Sequence, residues 1–145
     1  MSKRVLIVED EIFVALEIED IVRAAGFEVS AIAADRAMAM DFASNCDIAL
    51  VDLNLRDGPT GPDIGRELAV CHGVRVVYVT ANPSQIGAAQ AAALGVVTKP
   101  FRPTAIKEAL RLAAAEEPDF SSVNDNGFRP FMQSRDSSSG AGFAG

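Results

Sequence analysis

Short apolar runs alternate along this chain with longer stretches in which apolar residues recur at helical spacing. Val5 to Val8 is a continuous apolar run, the pattern of a strand buried on both faces of a parallel sheet. From Glu11 to Ala25, the residues Ile12, Leu16, Ile18, Ile21 and Val22 predict a helix, with Asp10 at the N-cap position and Gly26 at its end. Val29 to Ala33 predicts a second strand, Asp35 to Ser44 a second helix capped by Asp35, and Ile48 to Val51 a third strand. Gly58, Pro59 and Gly61 mark a loop before a third helix over Asp63 to Cys71. Val74 to Val79 is the fourth strand. Asn82-Pro83 reads as a cap followed by a helix-starting proline, and Gln85 to Leu94 as a fourth helix, rich in Ala with little to anchor it. Val96-Val97 is a short fifth strand. Pro103 to Glu116 is the last helix, with Ile106, Leu110 and Ala113 on one face.

Strand–helix units in strict alternation imply an α/β fold, a five-stranded parallel sheet with right-handed crossovers. After Glu117 the chain turns to Pro, Ser, Gly and Asn with scattered Phe. The expected organisation is one domain over residues 1–117 and a flexible tail over 118–145. The Phe residues of the tail read as filler first and as a docking motif second. With 145 residues, the chain can bury a core without disulfide or metal staples. Cys46 and Cys71 are too few and too far apart for a disulfide framework or a zinc site. A net charge of −7 with no basic run gives a nucleic-acid-binding surface no support. The first apolar run is too short for a signal peptide or a membrane span, and acidic residues follow at once, so a cytoplasmic location is expected.

In an open parallel sheet, functional groups gather at the carboxyl ends of the strands. Here those ends carry Glu9-Asp10-Glu11, then Asp52, then Thr80-Ala81, then Lys99-Pro100. With strand one central beside strand three, they would converge as a carboxylate cluster with one hydroxyl and one ammonium. Two carboxylates ~4 Å apart repel by about 4 kcal/mol at an effective dielectric of 20. Lys99 offsets one of them. A hard divalent cation with oxygen ligands would offset the rest, Mg being the natural candidate and Mn its substitute. That set suits phosphoryl chemistry, with Asp52 as carboxylate nucleophile and Lys99 stabilising charge on the phosphoryl oxygens.

Val8-Glu9-Asp10-Glu11, Val51-Asp52-Leu53-Asn54-Leu55, Val79-Thr80-Ala81 and Thr98-Lys99-Pro100-Phe101, in that order, resemble the receiver domain of bacterial two-component response regulators. Each motif alone is weak; four in order at strand ends are specific, and they cover roughly residues 3–116. The resemblance implies a flavodoxin-like, doubly wound sheet of strand order 2-1-3-4-5. It implies Asp52 as phosphoacceptor, with Glu9, Asp10, Asp52 and the Asn54 backbone carbonyl around the metal. It implies phosphoryl contacts from Thr80, the Ala81 backbone and Lys99, and a cis bond before Pro100. It further implies a sensor histidine kinase or phosphotransfer protein as donor and a downstream protein effector. A homodimer through the face of helix four, strand five and helix five is a further expectation of this kind.

Two positions depart from the pattern. The aromatic switch residue expected three positions before the lysine is Val96, and a proline expected four positions after the phosphoacceptor is Arg56. Both bear on the relay from Asp52 to the outer surface, and the segment Lys99-Pro100-Phe101-Arg102-Pro103 resembles that of an atypical subgroup, lacking the aromatic switch residue, in which the fourth helix and its preceding loop are mobile. Two other classes share parts of the pattern. A phosphohydrolase with an Asp nucleophile would carry a second Asp where this chain has Asn54. A flavodoxin-like ligand-binding module would carry a Gly- or Ser/Thr-rich phosphate cradle after strand one, where this chain is acidic. A signalling acceptor rather than a multiple-turnover enzyme is the expectation.

Overall fold

The computed structural model describes residues 2–124 and 127–131. The elements run β1 (Arg4–Val8), α1 (Ile12–Ala24), β2 (Glu28–Ala33), α2 (Arg36–Asp41), β3 (Ile48–Val51), α3 (Gly61–His72), β4 (Arg75–Thr80), β5 (Gly95–Thr98), α4 (Pro103–Ala114) and β6 (Phe128–Pro130). The sheet order is β2-β1-β3-β4-β5-β6. The first five strands are parallel, in the expected order, and β6 joins β5 antiparallel.

The continuous apolar runs are buried on both faces, and alternate residues feed two separate cores. Leu6, Val8, Val51, Tyr78 and Val96 face α2, α3 and the segment before β5. Val5, Ile7, Leu50, Val79 and Val97 face α1 and α4. Each helix therefore needs only one apolar stripe, which its sequence supplies. The β1–β2 register slips by one residue after Val5, and the skipped Ser30 donates its hydroxyl to the Val5 carbonyl at 3.3 Å.

Helix ends follow the cap logic at some positions and not at others. Asp35 accepts the Met38 N–H at 3.0 Å, as an N-cap should. Asp10 does not cap α1: the cap position is Glu11, and no side chain caps there. Gly26 and Gly73 adopt positive φ of 94° and 69° after α1 and α3, the left-handed turn that ends a helix.

Two expectations are corrected. The fourth helix over Gln85 to Leu94 is not an α-helix; Pro83–Gln85 and Gly87–Ala92 form separate 3₁₀ turns. Gly87 at φ 60° interrupts the first turn, and only Ile86, Ala89 and Ala93 are buried, too thin an anchor for a short helix. Nor does ordered structure stop at residue 117. Phe120–Ser122 form a 3₁₀ turn, and β6 makes the sheet six-stranded. Alternation along β6 sends Phe128 into the α1/α4 core and Phe131 into the opposite core. Burying two phenylalanines contributes about 3–6 kcal/mol. Ordering five residues costs about 5–10 kcal/mol. With about 1 kcal/mol for each backbone hydrogen bond, β6 sits close to balance. Residues 132–145 of the expected tail lie outside the described residues.

Candidate functional site

The carboxyl ends of β1, β3, β4 and β5 meet at one edge of the sheet. They form a cavity of about 420 Å³ lined by Asp10, Glu11, Asp52, Asn54, Leu55, Thr80, Ala81, Asn82 and Lys99. Parallel pairing of β1 with β3 and of β4 with β5 brings these ends level: Val8 faces Val51, and Thr80 faces Thr98. Oxygens of Glu9, Asp10 and Asp52 lie within 4.8 Å of one another. Glu9 and Asp52 are buried, Asp10 is exposed.

The Lys99 ammonium donates to Glu9 Oε1 at 2.8 Å and to Asp52 Oδ2 at 3.0 Å. Burial pushes the Glu9 carboxyl above its ordinary range, and the Lys99 contact only partly offsets this. Burial opposes the charge on Lys99, but hydrogen bonds and attraction from Glu9 and Asp52 together hold its pKa above the ordinary value. The lysine is thus the resident counter-ion of a carboxylate cluster. The other Asp52 oxygen, Oδ1, accepts the Leu53 N–H at 2.7 Å. Glu9 Oε2 accepts the Glu11 N–H at 3.1 Å.

Thr80 is buried at the end of β4, and its hydroxyl oxygen accepts the Asn82 N–H at 3.0 Å. Asn54 reaches across the cavity rim to donate to Gln85 Oε1 at 3.1 Å, joining the loop after β3 to the 3₁₀ segment. The Lys99–Pro100 bond is cis. Val96 is fully buried in the core of Tyr78 and Phe131, where it pairs with Tyr78 on one side and Arg129 on the other.

The loop that carries Arg56 is anchored by its own contacts. Arg56 donates its backbone N–H to Ala34 at 3.1 Å and its guanidinium pairs with Asp35 at 2.5 Å. Asp57 accepts from Thr60 at 2.7 Å and from the Arg36 N–H at 3.1 Å. The loop after β3 is thereby tied to the loop after β2.

One supporting residue, Gly61, is visible in the sequence only as a loop marker. A β-carbon at Gly61 would lie 2.0 Å from the Asp52 carbonyl oxygen and 2.5 Å from Leu53 Cα. The first turn of α3 packs directly on the Asp52 backbone, with the Gly61 N–H donating to Leu53 at 3.0 Å. Such close approach is open only to glycine. A Gly ten residues after the end of a strand signals a turn in sequence, not the backbone it will touch.

The model of the response regulator receiver domain matches residues 5–111. The chain belongs to that family. It is 31% identical over 116 residues to the chemotaxis protein CheY of Thermotoga maritima, covering 76% of this chain and 96% of that one. It is 29% identical over 117 residues to the phyllosphere-induced regulator PhyR of Methylorubrum extorquens, covering 78% of this chain but 44% of that protein. The chain thus spans under half the length of PhyR. Among solved structures, the receiver domain of Erythrobacter litoralis PhyR superposes with a TM-score of 0.73 at 28% identity, over 81% of this chain and 94% of that one. The matched family region ends at residue 111, so β6 lies beyond it.

Among the described residues, no helix is long and apolar enough to cross a membrane.

Proposed function

We propose that this receiver domain accepts a phosphoryl group on Asp52, and that the charge placed there alters its contacts with other proteins. The observation that carries this reading is the meeting of Asp52 with Glu9, Asp10, Thr80 and Lys99 at one sheet edge. The donor is a histidine kinase or a phosphotransfer protein, and the recipient of the signal a protein partner in the cytoplasm.

The all-oxygen donor set of Glu9, Asp10 and Asp52 fits a hard divalent ion, Mg or Mn. These carboxylates, with the Asn54 backbone carbonyl, would hold it. Bound there, the ion would neutralise the cluster and draw phosphoryl oxygens toward Asp52.

The protein groups divide the remaining work. A carboxylate oxygen of Asp52 attacks phosphorus and forms an acyl phosphate, while the P–O or P–N bond to the donor breaks and the leaving group carries away the electron pair. The Leu53 N–H holds Asp52 Oδ1 and so fixes the rotamer of the carboxylate. Lys99 exchanges its contact with Asp52 for one with a phosphoryl oxygen and keeps Glu9, so its charge travels a short distance and stays paired. The Thr80 oxygen already accepts from Asn82, which leaves its O–H free to donate to the phosphoryl group. The new group adds roughly −1.5 to −2 charge.

Incubation with acetyl phosphate and Mg, followed by intact mass, tests the assignment. One added phosphoryl group is expected, absent in Asp52→Asn. Addition that persists in that variant removes the proposal.

A further inference from the structure

β6 lies beyond the matched family region and sits on the β5 edge. The hydrogen bonds bracket the strand: Phe131 N–H donates to Leu94 at 2.9 Å and Thr98 N–H to Gly127 at 3.4 Å. Phe128 and Phe131 are buried on opposite faces of the sheet, so the segment inserts one aromatic into each core. Arg129 stays exposed, with its guanidinium 5.4 Å from the Phe131 ring centroid.

Gly95 shows that the edge is shaped for this occupant. A β-carbon there would lie 2.6 Å from the Arg129 carbonyl oxygen, 2.7 Å from Phe128 Cε1 and 2.9 Å from Pro130 Cα. All three nearest atoms belong to the added strand. Glycine inside a strand otherwise weakens it, and here its position is explained by the close approach of another backbone. β6 is three residues long, ends in a proline and carries an exposed arginine, so it closes the sheet rather than extending it.

We propose that the β5 edge is a strand-docking site for an extended segment with two aromatic residues three positions apart. Residues 127–131 hold that site in cis, and a partner protein presenting the same aromatic pattern displaces them. Main-chain pairing supplies the register, Gly95 admits the incoming backbone, and the two cores supply pockets for the aromatics. The near balance of burial against ordering makes the resident strand exchangeable. Tethering gives it an effective concentration of about millimolar, so it wins over weak competitors and yields to a partner that binds better. This proposal does not depend on the chemistry of Asp52.

The test uses the full chain and a labelled peptide spanning Gly127 to Phe131. In Phe128→Asp/Phe131→Asp the resident strand is disabled while the edge is intact. The peptide is expected to bind this variant at least about tenfold more tightly than the wild type. Adding Gly95→Val should abolish that binding, with circular dichroism confirming that both variants are folded. No binding to the folded double variant overturns the proposal, as does a dimer formed through the open edge that leaves the peptide unbound. Native-state hydrogen exchange on the wild type gives an independent readout that survives any folding defect of the variants. The Thr98 and Phe131 amides should open together below the global unfolding free energy, and exchange only through global unfolding overturns a detachable strand.

Discussion

At the scale of single residues, Lys99 decides whether the site is a stable place for two buried acids. Removing it as Lys99→Ala leaves Glu9 and Asp52 without their counter-ion, a loss of about 3–5 kcal/mol for a broken buried pair. Thermal unfolding without divalent ions should register this, and Glu9→Gln in the same chain should recover part of it by removing one buried charge. Cys46 offers a pH test away from the site. Burial pushes its thiol from an ordinary 9.0 up to about 11. The folded state therefore binds the proton more tightly than the unfolded state does. The corresponding stability is fully present below about pH 9 and is lost as pH rises through 11. Urea titrations over that range should show a slope that Cys46→Ala reduces. At neutral pH, thiol reagents should label exposed Cys71 well before Cys46.

At the scale of elements, α3 is held by contacts that only glycine permits. A β-carbon at Gly65 would lie 2.3 Å from the Tyr78 hydroxyl and 2.8 Å from its ring, so Gly65→Ala should cost about 1–3 kcal/mol by overpacking. Tyr78→Phe should return part of that loss in a double-mutant cycle, since it removes the nearest of the clashing atoms. The parallel strands were legible because runs such as Val5–Val8 and Ile48–Val51 leave no polar face for water. The strand-end residues Asp52, Thr80 and Lys99 were legible because buried runs rarely stop at such groups without a reason. The segment over Gln85–Leu94 was misread because alanine favours a helix but anchors it weakly, and one glycine at positive φ was enough to break it. β6 was hidden by its setting. Two phenylalanines among Ser, Gly and Asn show no strand period until β5 presents an edge, and Gly95 shows its reason only once that strand is in place. Gly61 was visible as a turn, but its contact with Asp52 joins residues whose approach the sequence does not display.

At the scale of the whole molecule, a net charge of −7 meets a site that gathers three carboxylates at one edge. Divalent ions should therefore stabilise the entire fold by binding the native state alone. At 100 times the dissociation constant, Mg should add about 2.7 kcal/mol, and chelation should remove it. The melting temperature should rise with Mg in the wild type and respond much less in Asp10→Asn; an equal response in both would place the ion elsewhere. The sheet also carries a reporter of its own state. The chain has one Tyr and no Trp, and that Tyr78 lies buried in β4, its hydroxyl donating to the Pro62 carbonyl at 3.3 Å. The near-ultraviolet signal of the native protein is therefore dominated by one ring, which β4 packs against α3 at Pro62 and Gly65. The first turn of α3, which packs on the Asp52 backbone at Gly61, carries Pro62 to that hydroxyl, so a shift of that turn changes the surroundings of the ring. An unlabelled sample in an ordinary spectrometer can thus follow the site from behind, by light absorbed and emitted at a single position.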